Sequence, residues 1–136
     1  SVLFSKHQYL NLSKEEKAKA ITSIAVFYDV VNPNSFISDV KDILSKDGIW
    51  VMEQSYFPLL IKNTAYDSIC HEHLTYFMYK QIQLLLKKHD LKVFDVKLNY
   101  MNGGSARFFI SHFDSKYKVK KKYLQKLLLN QESQVL

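Results

Sequence analysis

The chain has 136 residues, 47% of them hydrophobic and 14% aromatic, which suits one globular core and excludes a disordered tail. Its formal charge of +6 equals the contribution of six late lysines, Lys116, Lys118, Lys120, Lys121, Lys122 and Lys126, so the remainder is near neutral. No run reaches the roughly 18 apolar residues of a membrane helix, the amino end does not read as a signal peptide, and the single cysteine, Cys70, allows neither an internal disulfide nor a cysteine-based zinc site. A cytoplasmic protein with no membrane partner is expected. The start at Ser1 and the stop inside a lysine-rich helical pattern lead us to expect a piece of a longer protein.

In chain order, Ser13-Lys14-Glu15-Glu16 has the pattern of a capping box and predicts the start of a short helix. The nearly continuous apolar run from Ala20 to Phe27 predicts a central strand, buried on both faces of a parallel sheet. Asn32-Pro33 stops it and opens a helix on Phe36, Ile37, Val40, Ile43 and Leu44, which Asp47-Gly48 is expected to end. Ile49 to Glu53 predicts a second strand, so the three form a βαβ unit. Tyr56-Phe57-Pro58 is a boundary before a short apolar piece through Ile61.

After a polar, aromatic segment from Asn63 to Tyr79, the positions Ile82, Leu85, Leu86 and His89 mark an amphipathic helix with Lys87-Lys88 at its end. Leu91 to Leu98 and Arg107 to Phe113 predict an antiparallel pair at a sheet edge, joined through Asn102-Gly103-Gly104. Tyr117, Lys121, Leu124, Leu127 and Leu128 stand at helical intervals. The fold class expected is α/β, the closing half of a doubly wound domain over residues 1–115, with residues 116–136 beginning a further helical region.

Two clusters could carry chemistry. His71-Glu72-His73 places two imidazoles and a carboxylate in irregular chain flanked by tyrosines, suited to moving a proton at neutral pH. The same residues also fit a surface loop, and a His-x-His pair supplies only two of the three or four ligands zinc requires, so no metal is expected. Asn102-Gly103-Gly104-Ser105-Ala106-Arg107 offers bare amides, a hydroxyl and a guanidinium for phosphate, or simply a hairpin turn. The lysine run with Tyr117 and Tyr123 could be a nucleic-acid surface, but its lysines mostly flank an apolar stripe, as on a solvated helix face, and no nucleic-acid partner is expected. His7, His89 and His112 are expected to be structural or exposed.

The blocks Ile21-Thr22-Ser23-Ile24-Ala25-Val26-Phe27-Tyr28-Asp29, Asp47-Gly48-Ile49-Trp50-Val51-Met52-Glu53-Gln54, Cys70-His71-Glu72-His73-Leu74, Val93-Phe94-Asp95-Val96 and Asn102 to Arg107 together resemble the C-methyltransferases of deoxysugar pathways. The resemblance runs from about Ile21 to Phe113. It implies a partial Rossmann-like class I methyltransferase fold, S-adenosyl-L-methionine as methyl donor and a nucleotide-linked keto sugar as acceptor. Carbon becomes a nucleophile only after a base removes the proton beside the ketone.

By the same resemblance His73 is that base, with Glu72 as orienting partner and His71 nearby. Gly103, Gly104, Ser105, Arg107 and Tyr76 would border the sugar nucleotide, and Ala25, Val26, Phe27 and Tyr28 the methionine part of the cofactor. The family's glycine-rich cofactor turn and its zinc-binding amino-terminal region do not occur in these 136 residues, which are expected to be inactive alone. The oligomeric state is left open. An O- or N-methyltransferase, a basic binding module and a truncated remnant are the competing readings.

Overall fold

The computed structural model describes residues 4–122, 124, 125 and 133. Helix α1 (Lys6–Ser13) opens on Ser5, whose hydroxyl accepts the Gln8 amide. Ser13 ends this helix, so the expected capping box is corrected. Lys14 and Glu15 both take left-handed backbone angles, the Glu15 amide returns to the Leu10 carbonyl, and the Ser13 hydroxyl donates toward the carbonyls of Leu10 and Glu16.

Strand β1 (Ala18–Ile24), helix α2 (Pro33–Ile43) and strand β2 (Leu44–Ser55) form the expected parallel βαβ unit, with Ile21 opposite Trp50 and Ile24 opposite Glu53. The Asn32 side chain caps α2 by accepting the Ser35 amide, and Pro33 stands in its first turn. Asp47-Gly48 does not end this helix. The helix stops at Ile43, and Asp47-Gly48 lies inside β2, where the pairing jumps from Ala18–Leu44 to Ala20–Ile49 around a bulge.

Helix α3 (Phe57–Lys62) and helix α4 (Tyr79–Lys87) precede strands β3 (Leu91–Asn99) and β4 (Ser105–His112). These strands pair antiparallel, giving one sheet in the order β1-β2-β4-β3 with the hairpin at its edge as expected. The helices α2 and α4 cover one face, enclosing Phe27, Ile37, Trp50, Met52, Ile82, Phe108 and Ile110. The Trp50 indole donates to the Ser23 hydroxyl at 2.9 Å, so the largest core side chain also has its polar atom satisfied.

The expectation of a central strand buried on both faces fails for β1. It stands at the end of the sheet, and its outward residues Ala20, Thr22 and Ile24 are exposed because no second layer covers them among the described residues. The late segment is also corrected: Tyr117 is not helical but stacks on Phe94 at 4.7 Å, and the described helical residues begin at Lys121. Leu127 and Leu128 lie outside the described residues. His89 and His112 contact the Asn34 side chain and the Leu44 carbonyl, whereas His7 is exposed.

Near the end of β2, both amide atoms of Gln54 are buried with no hydrogen-bond partner among the described residues. An unsatisfied buried amide costs about 1–3 kcal/mol, so Gln54→Met, of similar shape, is expected to stabilise the chain by a comparable amount in urea denaturation. A lower midpoint for the variant would show that the amide is satisfied in solution.

Candidate active site

The topology gathers chemistry at one edge of the sheet. The parallel strands β1 and β2 both end there, and because β4 runs antiparallel to its neighbours, with Ser105 opposite Ser55 of β2 and Asn99 of β3, the β3–β4 connection reaches the same edge. Open α/β sheets bind ligands outside the carboxyl ends of their parallel strands.

At the end of β1, Ala25 holds a left-handed φ of 52° while its amide donates to the Glu53 carbonyl at 2.9 Å. For a residue with a Cβ this conformation costs roughly 1–2 kcal/mol, and it turns the chain sharply into the 3₁₀ turn Phe27–Asp29. Of the four residues expected at the cofactor, Phe27 is buried in the core, its ring 5.2 Å from Phe77 and 6.2 Å from Trp50, and cannot present its side chain to a ligand. Val26 is partly exposed and Tyr28 is nearly buried.

The histidine loop follows α3. A 3₁₀ turn at Tyr66–Ser68 aims the Ser68 carbonyl at the His73 Nδ1, 2.8 Å away. A carbonyl only accepts, so Nδ1 carries a proton in this bond, and a neutral ring so held has its lone pair on Nε2. The Tyr76 hydroxyl donates to the same carbonyl at 3.0 Å, which commits a residue expected at the sugar to the support of this loop. The Tyr28 ring lies 4.3 Å from the imidazole. Glu72 and His71 are exposed, and the orienting contact expected from Glu72 is made by Ser68 instead.

The glycine cluster is built as a turn. Asn102 and Gly103 take positive φ angles, the Gly104 amide and the Ser105 hydroxyl both donate to the Met101 carbonyl, and Asn63 donates to the Gly103 carbonyl at 2.7 Å. Ser105 is buried, so its hydroxyl and the Gly104 amide are committed inside the turn rather than offered to a phosphate. Arg107 stands opposite Glu53 on the neighbouring strand and donates from Nε to its carboxylate at 2.5 Å, leaving the arginine side chain 45% exposed. Ser68, Asn63 and Glu53 were not among the expected site residues. Ser68 acts through its backbone, which leaves no signal in a sequence, whereas Glu53 lies in one of the quoted blocks.

Burial raises the Tyr28 phenol above its ordinary value of 10.0, with Asp29 and then Cys70 acting in the same direction. With the folded value raised, this group's contribution to stability is intact below the ordinary tyrosine value and is lost as pH rises through the folded value. Stability is therefore expected to decline in that alkaline window, and Tyr28→Phe to flatten the decline. Urea denaturation at successive pH values checks this, and an identical slope in the variant would contradict it.

No helix among the described residues is long and apolar enough to cross a membrane, and none of those residues form a group of three or more potential metal ligands. No protein-family profile matches the chain. It is 30% identical over 92 residues to C-methyltransferase NovU of Streptomyces niveus, a match covering 68% of this chain and 22% of that protein. Among solved structures, LepI in complex with SAM superposes with a TM-score of 0.58 at 13% identity, over 71% of this chain and 27% of that one. The mitomycin 7-O-methyltransferase MmcR gives 0.56 at 11% identity over 78% and 38%. A SAM-dependent methyltransferase from Anabaena variabilis gives 0.54 at 13% identity over 79% and 55%. The chain is an α/β unit with part of the Rossmann-like class I methyltransferase fold.

Proposed function

We propose that this chain is the closing half of the catalytic domain of an S-adenosyl-L-methionine-dependent C-methyltransferase, over residues 1–115, with residues 116–136 opening a carboxy-terminal region. The acceptor is a nucleotide-linked keto sugar, and the intact protein, rather than this portion alone, is the enzyme. The observation that carries the reading is the bond from His73 Nδ1 to the Ser68 carbonyl, which leaves a basic Nε2 at the carboxyl edge of the sheet. The likeness to C-methyltransferase NovU supports the choice of carbon as the methylated atom.

In this reading His73 Nε2 takes the proton from the carbon beside the ketone, and the electron pair moves to an enolate. S-adenosylmethionine, when bound, supplies an electrophilic methyl group for that carbon. The residues present fit one wall of the donor's site: the strained Ala25 turn carries the exposed part of Val26 past the end of β1, while Phe27 holds the turn to the core. Arg107, exposed beyond its bond to Glu53, is a cation available to an anionic acceptor.

The test incubates the intact protein with S-adenosylmethionine and a nucleotide-linked 4-keto sugar in deuterium oxide. Deuterium entering the carbon beside the ketone, together with a new carbon-bound methyl group, is the expected result. A methyl group on oxygen or nitrogen without deuterium exchange would replace this reading with that of an O- or N-methyltransferase.

A further inference from the structure

The segment that carries His73 has no regular structure from Ile69 to Met78, yet its imidazole lies between the Ser68 carbonyl and the Tyr28 ring. Much of that order comes from a single residue of another element. The Tyr28 carbonyl accepts the amides of both Leu74 and Thr75, at 3.1 and 3.3 Å, so the two residues after His73 are tied to the turn at the end of β1. The Tyr28 ring packs on the imidazole itself, with centroids 4.3 Å apart and planes inclined by 55°. Tyr28 can serve as a fixed wall because it is nearly buried and because its neighbour Phe27 is anchored in the core.

Tyr76 does a different job. Its ring is farther from the imidazole, at 6.3 Å, and packs on Phe57, while its hydroxyl holds the Ser68 carbonyl. Of the two tyrosine rings beside His73, that of Tyr28 is the nearer and stands against a turn of the imidazole away from that carbonyl. An imidazole released from its acceptor loses the bond that decides which nitrogen is protonated.

We propose that Tyr28 is a positioning residue for His73, its ring confining the imidazole so that Nδ1 stays on the Ser68 carbonyl and the lone pair stays on Nε2. The catalytic meaning of this role rests on the function proposed above, but the contact and its effect on the tautomer do not. The ring is the active part, since the carbonyl contacts survive any side-chain change. Tyr28→Phe should therefore preserve the effect and Tyr28→Leu should lose it.

The experiment is a long-range proton–nitrogen correlation spectrum of the nitrogen-labelled chain, taken above the ordinary imidazole range so that the histidines are neutral. His73 is expected to show the single Nδ1–H tautomer in the native chain and in Tyr28→Phe, and an average of both tautomers in Tyr28→Leu. A native tautomer signature retained in Tyr28→Leu would overturn the proposal, as would a mixed signature in the native chain. Should Tyr28→Leu not fold, nuclear Overhauser contacts between the Tyr28 and His73 rings in the native chain decide: their presence supports the proposal and their absence overturns it. Because no turnover is involved, methyl transfer that survived loss of His73 would remove the proposed function without touching this result.

Discussion

Replacing His73 by asparagine in the intact protein is expected to lower the rate of methyl transfer by ~10²–10⁴, about 3–5 kcal/mol of barrier, while leaving the fold in place. The asparagine amide can donate to the Ser68 carbonyl much as Nδ1 does at 2.8 Å, so the loop keeps its anchor and only the basic Nε2 is removed. Glu72→Gln is expected to do far less, because Glu72 is exposed and the imidazole is oriented by a carbonyl instead. Rates of methyl transfer and of proton exchange at the acceptor carbon should fall together in His73→Asn. Full turnover in that variant would exclude an enolate formed by this residue.

The second large effect concerns the core. Phe108 is fully buried on β4, its ring 6.3 Å from Tyr79 and 6.4 Å from Tyr56, so it joins the middle of the sheet to α4 and to the start of α3. Phe108→Ala is expected to cost about 3–5 kcal/mol, the loss of transferred apolar surface plus the cavity left behind. That is a large part of the 5–15 kcal/mol typical of a whole domain. Trp50, the only tryptophan and also fully buried, gives a fluorescence signal for the measurement. An unchanged urea midpoint would mean that the packing around β4 is not as described.

The parts legible in the sequence were those written in side-chain pattern. The apolar runs of β1 and β2 around a helix with Asn32-Pro33 at its start could only be a βαβ unit, and Gly103-Gly104 between two apolar strands marked the edge hairpin. Ser13 misled because a serine three residues before a glutamate serves a helix entry and a helix exit equally. Here two left-handed residues, Lys14 and Glu15, decided for the exit. Asp47-Gly48 misled because a bulge and a helix stop use the same residue types.

The site divides along the same line. His73 was legible as an unusual residue in an unusual neighbourhood, but its partner was not, since the Ser68 carbonyl is a group every residue owns. The pairing of Glu53 with Arg107 needed the register of two strands 54 positions apart. The Gly104 amide and the Ser105 hydroxyl suited a phosphate on paper, and only the geometry shows them turned inward on Met101.

Among the described residues β1 is hydrogen-bonded to a strand on one side only, and its last residue, Ile24, is half exposed. An unpaired strand edge beside apolar surface is a template onto which any extended chain can add, including the same strand of another molecule. Produced by itself, this polypeptide should therefore be troubled less by unfolding than by stickiness along one seam. A solubilising charge placed at Thr22 or Ile24, away from the Trp50 side of the sheet, would blunt that seam without disturbing the interior.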